Sequence, residues 1–430
     1  MSLFNTLNTG ITGLGANGLG LSVSGDNIAN LNTVGYKGSS AEFQDLIMQN
    51  LGGGKGQLGM GAFTGRVRQG FGQGSIETTS NAADLAIDGK GFFVVNDAEG
   101  GTFYSRAGQF TMDPEGNLVT LQGLKLQGYT ASADGTLSTT VGDLTIPTDP
   151  VAGTASTSVA VTANLTADPN ATVGTALAGS APTDFDAISN GANFTSSTVV
   201  YDSLGVAHDV TMAWTKTATN TWEFTAWADA GETGGTAGTP QLISSGSLVF
   251  DGNGDLDATA STAPTATAVT FTGASAQSVA FDFGFAATDL GGITQRGTAA
   301  SQVTDIDPNG NASGTLASFD IGQDGVVTGV YSNGETRALG QVVLAMFRGE
   351  NYLTRAGHNT WQQSNESGEP VLGTAGQGGR GVTHSYALEM SNVDLEKQFV
   401  KLIQSQKGYQ ASTRVISAAD DMLQELMQTV

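Results

Sequence analysis

The sequence predicts a mainly β protein with α-helices at its two ends. Its architecture is nested: the N- and C-terminal helices pair as a coiled coil, and of two successive β domains the outer is inserted in the inner. Three observations predict this. Apolar residues recur every seven positions at both ends of the chain, short alternating segments punctuated by Gly, Asn and Asp fill the space between, and composition changes abruptly in the middle third. A chain of 430 residues is also longer than one compact core needs.

The first seven-residue series is Leu7, Leu14, Leu21 and Ile28, with Ile11 widening the stripe. It predicts an amphipathic helix, but Gly10, Gly13, Gly15, Gly18, Gly20 and Gly25 lie within it. Each interior glycine costs about 1 kcal/mol relative to alanine, so this helix needs a partner. The second series is Leu388, Leu395, Leu402, Tyr409, Ile416, Leu423 and Val430, supplemented by Phe399, Ala419 and Leu426. It predicts a C-terminal helix with an apolar seam. Two arrangements satisfy both stripes: packing on one ordinary core, or pairing with each other and with neighbouring chains.

Residues 34–74 contain the glycine-dense run 51–74 and read as an extended connector. Beyond it, Leu85–Val95 gives two short strands around a glycine turn, and Asp113-Pro114-Glu115-Gly116-Asn117 marks a further turn. From about Pro147 to Gly297 the chain becomes rich in Thr, Ala, Ser and Asp, with Lys216 and Arg296 its only basic residues. Alternation in Ser197–Tyr201, Val206–Trp214 and Thr221–Trp227 predicts consecutive antiparallel strands there. Phe319–Tyr331 resumes the earlier β pattern, and Gln341–Phe347 is a buried-strand candidate. The expected organisation is a helical domain of 1–33 with 385–430, the connector 34–74, a β domain of 75–146 with 299–384, and an inserted β domain of 147–298.

Composition narrows function. With 17 Lys plus Arg against 40 Asp plus Glu, the net charge of −23 repels phosphate backbones and anionic lipid, which argues against nucleic acid as a partner. No run of 18 apolar residues is available for membrane insertion, and the first basic residue, Lys37, leaves no basic region for a cleaved Sec signal. Without cysteine there is no disulfide framework, thiolate metal site or Cys nucleophile. Histidines are three, His208, His358 and His384, and none has metalloprotease spacing. Gly54-Lys55-Gly56-Gln57-Leu58-Gly59 matches a dinucleotide fingerprint only through glycine density. Asp305–Asn311 starts like a calcium loop but has Leu316 at the twelfth position, and Asp251–Asp257 has Leu256 at the sixth, so both read as turns. No catalytic, cofactor or metal site is expected, and an enzyme is the weaker hypothesis beside a self-assembling structural protein.

The segment Asp26-Asn27-Ile28-Ala29-Asn30-Leu31-Asn32-Thr33-Val34-Gly35-Tyr36-Lys37 resembles the N-terminal signature of the bacterial flagellar rod and hook family. Ser391-Asn392-Val393-Asp394-Leu395 and Gln406-Lys407-Gly408-Tyr409-Gln410-Ala411 resemble its C-terminal signature, in the expected order. Ser80–Phe93, Tyr104–Phe110, Tyr331–Glu335 and Gly340–Ala345 are similar to its β segments. The resemblance covers roughly the first 145 and last 115 residues. It implies terminal helices that line the channel of a tubular homopolymer, an inner β shell and an outer inserted domain. The large insertion and the glycine-rich linker favour a hook-type member over a distal-rod-type member. Expected partners are then copies of the chain itself, the distal rod protein, the hook cap protein, the hook–filament junction proteins and the flagellar type III export apparatus. Location outside the cell, in a flexible joint transmitting torque, follows from the same resemblance. An adhesin or a glycan-acting protein built on the insert is the alternative from another class.

Overall fold

The structure, a computed structural model, describes residues 3–46, 49–50, 57–285 and 291–428. Val430 of the second apolar series and residues 51–56 of the glycine-dense run, with the first half of the fingerprint-like segment, lie outside the described residues. The chain forms two compact units. One comprises residues 1–148, 318–329 and 336–430, and the other 149–317 and 330–335.

The first unit begins with helix α1, Leu3–Ala29. Its end is set locally: the Asn30 side chain donates from Nδ2 to the Asp26 carbonyl at 2.9 Å, and the chain then turns at Gly35, where φ is +69°. Only glycine serves there, since a Cβ would lie 2.4 Å from the Ala107 nitrogen. Residues 34–74, expected as an extended connector, instead contain a paired antiparallel ribbon of Ser39–Asp45 and Ala62–Gln69, bulged between Glu42 and Phe43. Phe63, Thr64 and Val67 inside the run, and Phe43 ahead of it, supply strand propensity that glycine counting hides. The ribbon lies along α1, with Gly61 against Thr9 and Thr12 and Phe43 beside Gly20.

The main sheet of this unit follows the order Val326–Tyr331, Thr336–Met346, Lys125–Ala131, Phe92–Asn96, Thr102–Ser105, Thr360–Gln362 and Thr354–Gly357. The buried-strand candidate is the sheet's centre, with Val342, Val343, Leu344 and Ala345 fully buried. Phe92, Tyr104, Phe347 and Trp361 form an aromatic cluster under it, closed by Phe71 with its ring 5.4 Å from Phe92. Such buried side chains each contribute about 1.5–3 kcal/mol relative to exposure. Two smaller pairings close the unit: Leu85–Asp88 with Val382–Ser385, and Ile76–Thr78 with Ala387–Glu389.

Leu388, expected to open the C-terminal helical series, therefore lies in a strand, paired with Glu77 and buried. Its seven-residue spacing from Leu395 is fortuitous, because Ser391–Asp394 between them form a non-helical linker. The C-terminal helix, α3, spans Leu395–Gln428 and starts where Asp394 Oδ1 accepts the Lys397 backbone N–H at 3.1 Å.

In the second unit a five-stranded antiparallel sheet runs Phe194–Tyr201, Ala207–Ala218, Thr221–Asp229, Pro240–Val249 and Thr262–Ala266. A second sheet centres on Ser158–Leu165, and alternate residues of the two meet in a core that includes Val161, Trp214, Trp222, Phe224 and Phe283. The short helix α2, Phe185–Gly191, is capped by Asp184. This unit extends beyond the expected boundary at 298. Gln302–Pro308 pairs with Ser158–Leu165, so Asp305 and Asp307 sit on a strand, whereas Asp251–Asp255 does form a turn.

Candidate functional site

The site is built on α1, α3 and the loops that join them to the β sheets of the first unit. The two helices run antiparallel with a seam of small residues. A Cβ added at Gly13 would lie 2.9 Å from Ser412 Oγ, at Gly20 2.8 Å from Ser405 Oγ, and at Gly10 2.9 Å from Ile416 Cγ1. From the other side, one at Gly408 would lie 2.4 Å from Asn17 Oδ1. Asn27 Nδ2 reaches Gln398 Oε1 at 3.3 Å, and Ala419 is fully buried. The glycines that weaken α1 in isolation are thus what lets α3 approach it.

This register puts Leu7, Leu14 and Leu21 within about 3 Å along the axis of Ile416, Tyr409 and Leu402. In an antiparallel pair, rows displaced the same way around each helix come to the same side, so the two apolar series flank the seam together. Leu7, Leu14, Leu21, Ile28, Leu402, Ile416 and Leu423 are half-buried, while Leu395 and Tyr409 are exposed. The contact between the helices is therefore made mainly by the small residues, with Ile416 set against Gly10, and the leucines of the ladder stand beside it.

At the foot of α1 the signature residues converge. Asn27, almost fully buried, donates from Nδ2 to the Ser39 carbonyl at 2.7 Å and accepts the Ser39 N–H at 2.8 Å, a strand-like pair made by a side chain. Tyr36 Oη donates to Asp26 Oδ2 at 3.0 Å, and burial raises its phenol above the usual range. Thr33 Oγ1 donates to Asn30 Oδ1. From the C-terminal signature, Asn392 accepts the Gly38 N–H at 2.8 Å and donates to the carbonyls of Gly70 and Gly72. Ser391 Oγ accepts the Val393 N–H, and Val393 lies against Gly38. Asp394 pairs with Lys397 at 2.9 Å, and that hydrogen bond holds its carboxyl below the usual range. Asn32 is exposed and joins none of these contacts.

Beneath the junction lies a buried ion cluster. Glu389 Oε1 meets Lys37 Nζ at 2.6 Å and accepts the Gly74 N–H at 2.9 Å, while Oε2 meets Arg106 Nη1 at 3.3 Å. All three side chains are essentially without solvent contact. Burial pushes the Lys37 ammonium and the Arg106 guanidinium below their usual ranges, with Glu389 opposing the shift. Lys37 also donates to the Gly72 carbonyl and Arg106 to that of Gly89, so the cluster ties α1's exit loop, the ribbon's end and two strands together. Arg355 adds a surface clamp over the Tyr36 ring, donating to Ser39 Oγ at 3.1 Å. Sequence reasoning missed Glu389 and Arg355. Lys37 and Arg106 lay inside the family-like segments, but nothing in spacing announces a buried charge.

Of the chemistry candidates, His208 is held structurally, stacked on Phe271 at 3.7 Å with Glu232 and Asp202 at its two ring nitrogens. Among the described residues no group of three His, Asp or Glu is placed to hold a metal ion, and no helix is long and apolar enough to cross a membrane.

Family profiles match four stretches of the chain. They are described as flagella basal body rod protein over residues 7–37, flagellar hook protein FlgE/F/G D1 domain over 86–165, flagellar basal body protein FlaE D2 domain over 164–311, and flagellar basal body rod FlgEFG protein C-terminal over 384–429. Paired terminal helices around nested β units, carrying these profiles, define a member of the flagellar rod and hook class. The flagellar hook protein FlgE of Escherichia coli (strain K12) is 35% identical over 426 residues, covering 97% of this chain and 98% of the relative. That of Treponema pallidum (strain Nichols) is 32% identical over 477 residues, covering 99% of each. The crystal structure of Helicobacter pylori flagellar hook protein FlgE2 shares the fold, with a TM-score of 0.53 at 16% identity over 73% of this chain and 100% of that one. The chain belongs to the flagellar hook protein FlgE family, and its role is that of a structural subunit of the hook.

Proposed function

We propose that this hook subunit assembles through its terminal helices into a flexible tube that carries torque between rod and filament. The observation that carries this reading is the half-exposed apolar ladder beside the α1–α3 seam. Small residues, with Ile416 against Gly10 and the Tyr409 ring near Gly18, already satisfy the contact within one chain, so Leu7, Leu14, Leu21 and Ile28, with Leu402, Leu423 and the outward sides of Tyr409 and Ile416, are left to meet further copies. The exposed Leu395 extends the same ladder.

The junction supplies the mechanical link. Torque reaching the β sheets is transmitted to the helices through Asn27, Asn392 and the Lys37–Glu389–Arg106 cluster, whose many short bonds leave little freedom to twist. Asn30, Thr33, Gly35, Tyr36, Ser391, Val393 and Asp394 shape that same link. The helical part lines the channel, the first unit's sheets form the middle shell, and the inserted unit faces outward with few charges, so neighbouring copies slide there as the tube bends. The chain leaves the cell unfolded through the flagellar type III apparatus, assembles under a cap protein, and joins the distal rod protein below and junction proteins above. It performs no catalysis.

Substituting Leu402 by Asp tests the proposal. Loss of tubes in electron micrographs, with the β circular dichroism retained, is expected; tubes of normal yield would contradict the ladder.

A further inference from the structure

In the second unit the inward row of the strand Ala207–Ala218, formed by Trp214, Met212 and Val210, ends on His208. The buried ring lies flat on Phe271 at 3.7 Å, with Glu232 Oε2 2.7 Å from Nδ1 and Asp202 Oδ2 3.3 Å from Nε2. Each partner comes from a different stretch of chain. Asp202 opens the turn before the strand, Glu232 sits on the 3-10 turn Ala230–Thr233, and Phe271 lies in the loop ahead of Ala280–Asp282. These stretches also grip one another: the Thr272 N–H and Oγ1 both donate to the Glu232 carbonyl, and the Ser275 N–H donates to Ser203 Oγ. A carboxylate only accepts, and a neutral imidazole has one N–H to give, so the neutral ring turns a lone pair towards one of its two carboxylates. The doubly protonated ring donates to both. Asp202 is fixed as an acceptor: burial pushes its carboxyl up, but the Val206 and Leu204 N–H groups and His208 together hold it below the usual range. Among the described residues His208 pairs with these two carboxylates alone. Asp209 is exposed on the strand's opposite face, Asp229 accepts the Gly231 and Gly238 N–H groups, Val200 stands opposite on the neighbouring strand, and residues 267–277 contain no ionisable side chain.

We propose that His208 is a proton-operated clasp of the second unit, closed while both ring nitrogens carry a proton and opened when one proton is lost to solvent. The shorter bond to Glu232 keeps the remaining N–H on Nδ1, which leaves the Nε2 lone pair facing Asp202. The Asp202–Val206 turn then loses its tie to the ring, and Leu204 and Val206, already 59% and 51% exposed, move with it. This is a local opening. The core of Trp214, Trp222 and Phe224 does not depend on the clasp, so the unit stays folded on both sides of the step. The device is independent of the terminal helices and of assembly.

Two measurements on the full-length chain test this together. Nitrogen-15 NMR of histidine-labelled protein counts the protons on the ring, with His208→Gln identifying its signal. Backbone deuterium exchange of residues 202–206, corrected for its intrinsic pH dependence, reads the turn. Between about pH 5.5 and 9 the protection of this segment should fall about tenfold or more as the ring loses its proton, the loss of one charged hydrogen bond. In Glu232→Gln the amide can donate to Nδ1, so a neutral ring still gives its N–H to Asp202, and protection should stay within about twofold over the same range. His208→Gln, with no proton to lose, should show no step either; circular dichroism establishes that each variant is folded, and Glu232→Gln carries the test if His208→Gln is not. A ring with a single N–H already at about pH 5.5, a ring keeping both up to about pH 9, protection unchanged while the proton leaves, or the same step in Glu232→Gln would each overturn the clasp.

Discussion

Glu389 is the residue on which the junction turns, because two cations and a backbone N–H converge on its carboxylate out of contact with water. Replacing it with Gln leaves Lys37 and Arg106 buried without a counter-charge, and breaking such a cluster costs about 3–5 kcal/mol. A fall in thermal midpoint of the first unit's transition, followed by circular dichroism, is the expected result. Gly35 is the second sensitive position: its positive φ and the Ala107 backbone 2.4 Å from a prospective Cβ make Gly35→Ala costly, by about 1–3 kcal/mol from backbone conformation alone. Acid should weaken the fold through another set of groups. Asp113 is held below the usual carboxylate range by the Asn117 side chain, Asp134 by Thr136, Asp251 by the Asp255 N–H and Asp257 by Thr259. A carboxyl whose folded pKa is depressed stabilises the fold above its unfolded pKa, near 4, and loses that contribution as pH falls through the folded value. Thermal midpoints should therefore be flat above about pH 5 and decline below about pH 4; a midpoint unchanged down to pH 2 would contradict these turn bonds.

Between elements, the decisive contact is the glycine and serine seam of α1 and α3. Gly20→Leu places a branched side chain where Ser405 Oγ stands 2.8 Å from a Cβ, and overpacking of this kind costs about 1–3 kcal/mol. Helix content should fall while the β signal is kept, since the sheets of the first unit have their own aromatic core. The seam also marks how far sequence carries. Both terminal helices were legible from their heptads, and the strand at Gln341–Phe347 from its unbroken apolar run. What the heptads concealed is that the leucines flank the seam, because hydrophobic periodicity identifies the apolar stripe and is silent about small residues beside it. Leu388 obeyed the spacing yet belongs to a strand, since periodicity does not register the linker Ser391–Asp394. The ribbon of Ser39–Asp45 and Ala62–Gln69 was hidden by glycine density between its strands. The ion cluster was illegible for a further reason: its members are 352 and 283 positions from one another in sequence.

For the whole molecule, nesting of one unit within the other gives the central claim its test, because the helices can be removed without cutting either β unit. Strand Ala387–Glu389 and its Glu389 belong to the first unit's β structure, so the deletion must begin after Asp394. A truncated chain lacking residues 1–30 and 395–430 retains both β cores and loses α1, α3 and the ladder. The most direct measurement is electron microscopy of the concentrated full-length chain beside this truncation. Tubes from the full chain and none from a folded truncation is the predicted result. Tubes of the same diameter from the truncated chain would contradict assembly through the terminal helices.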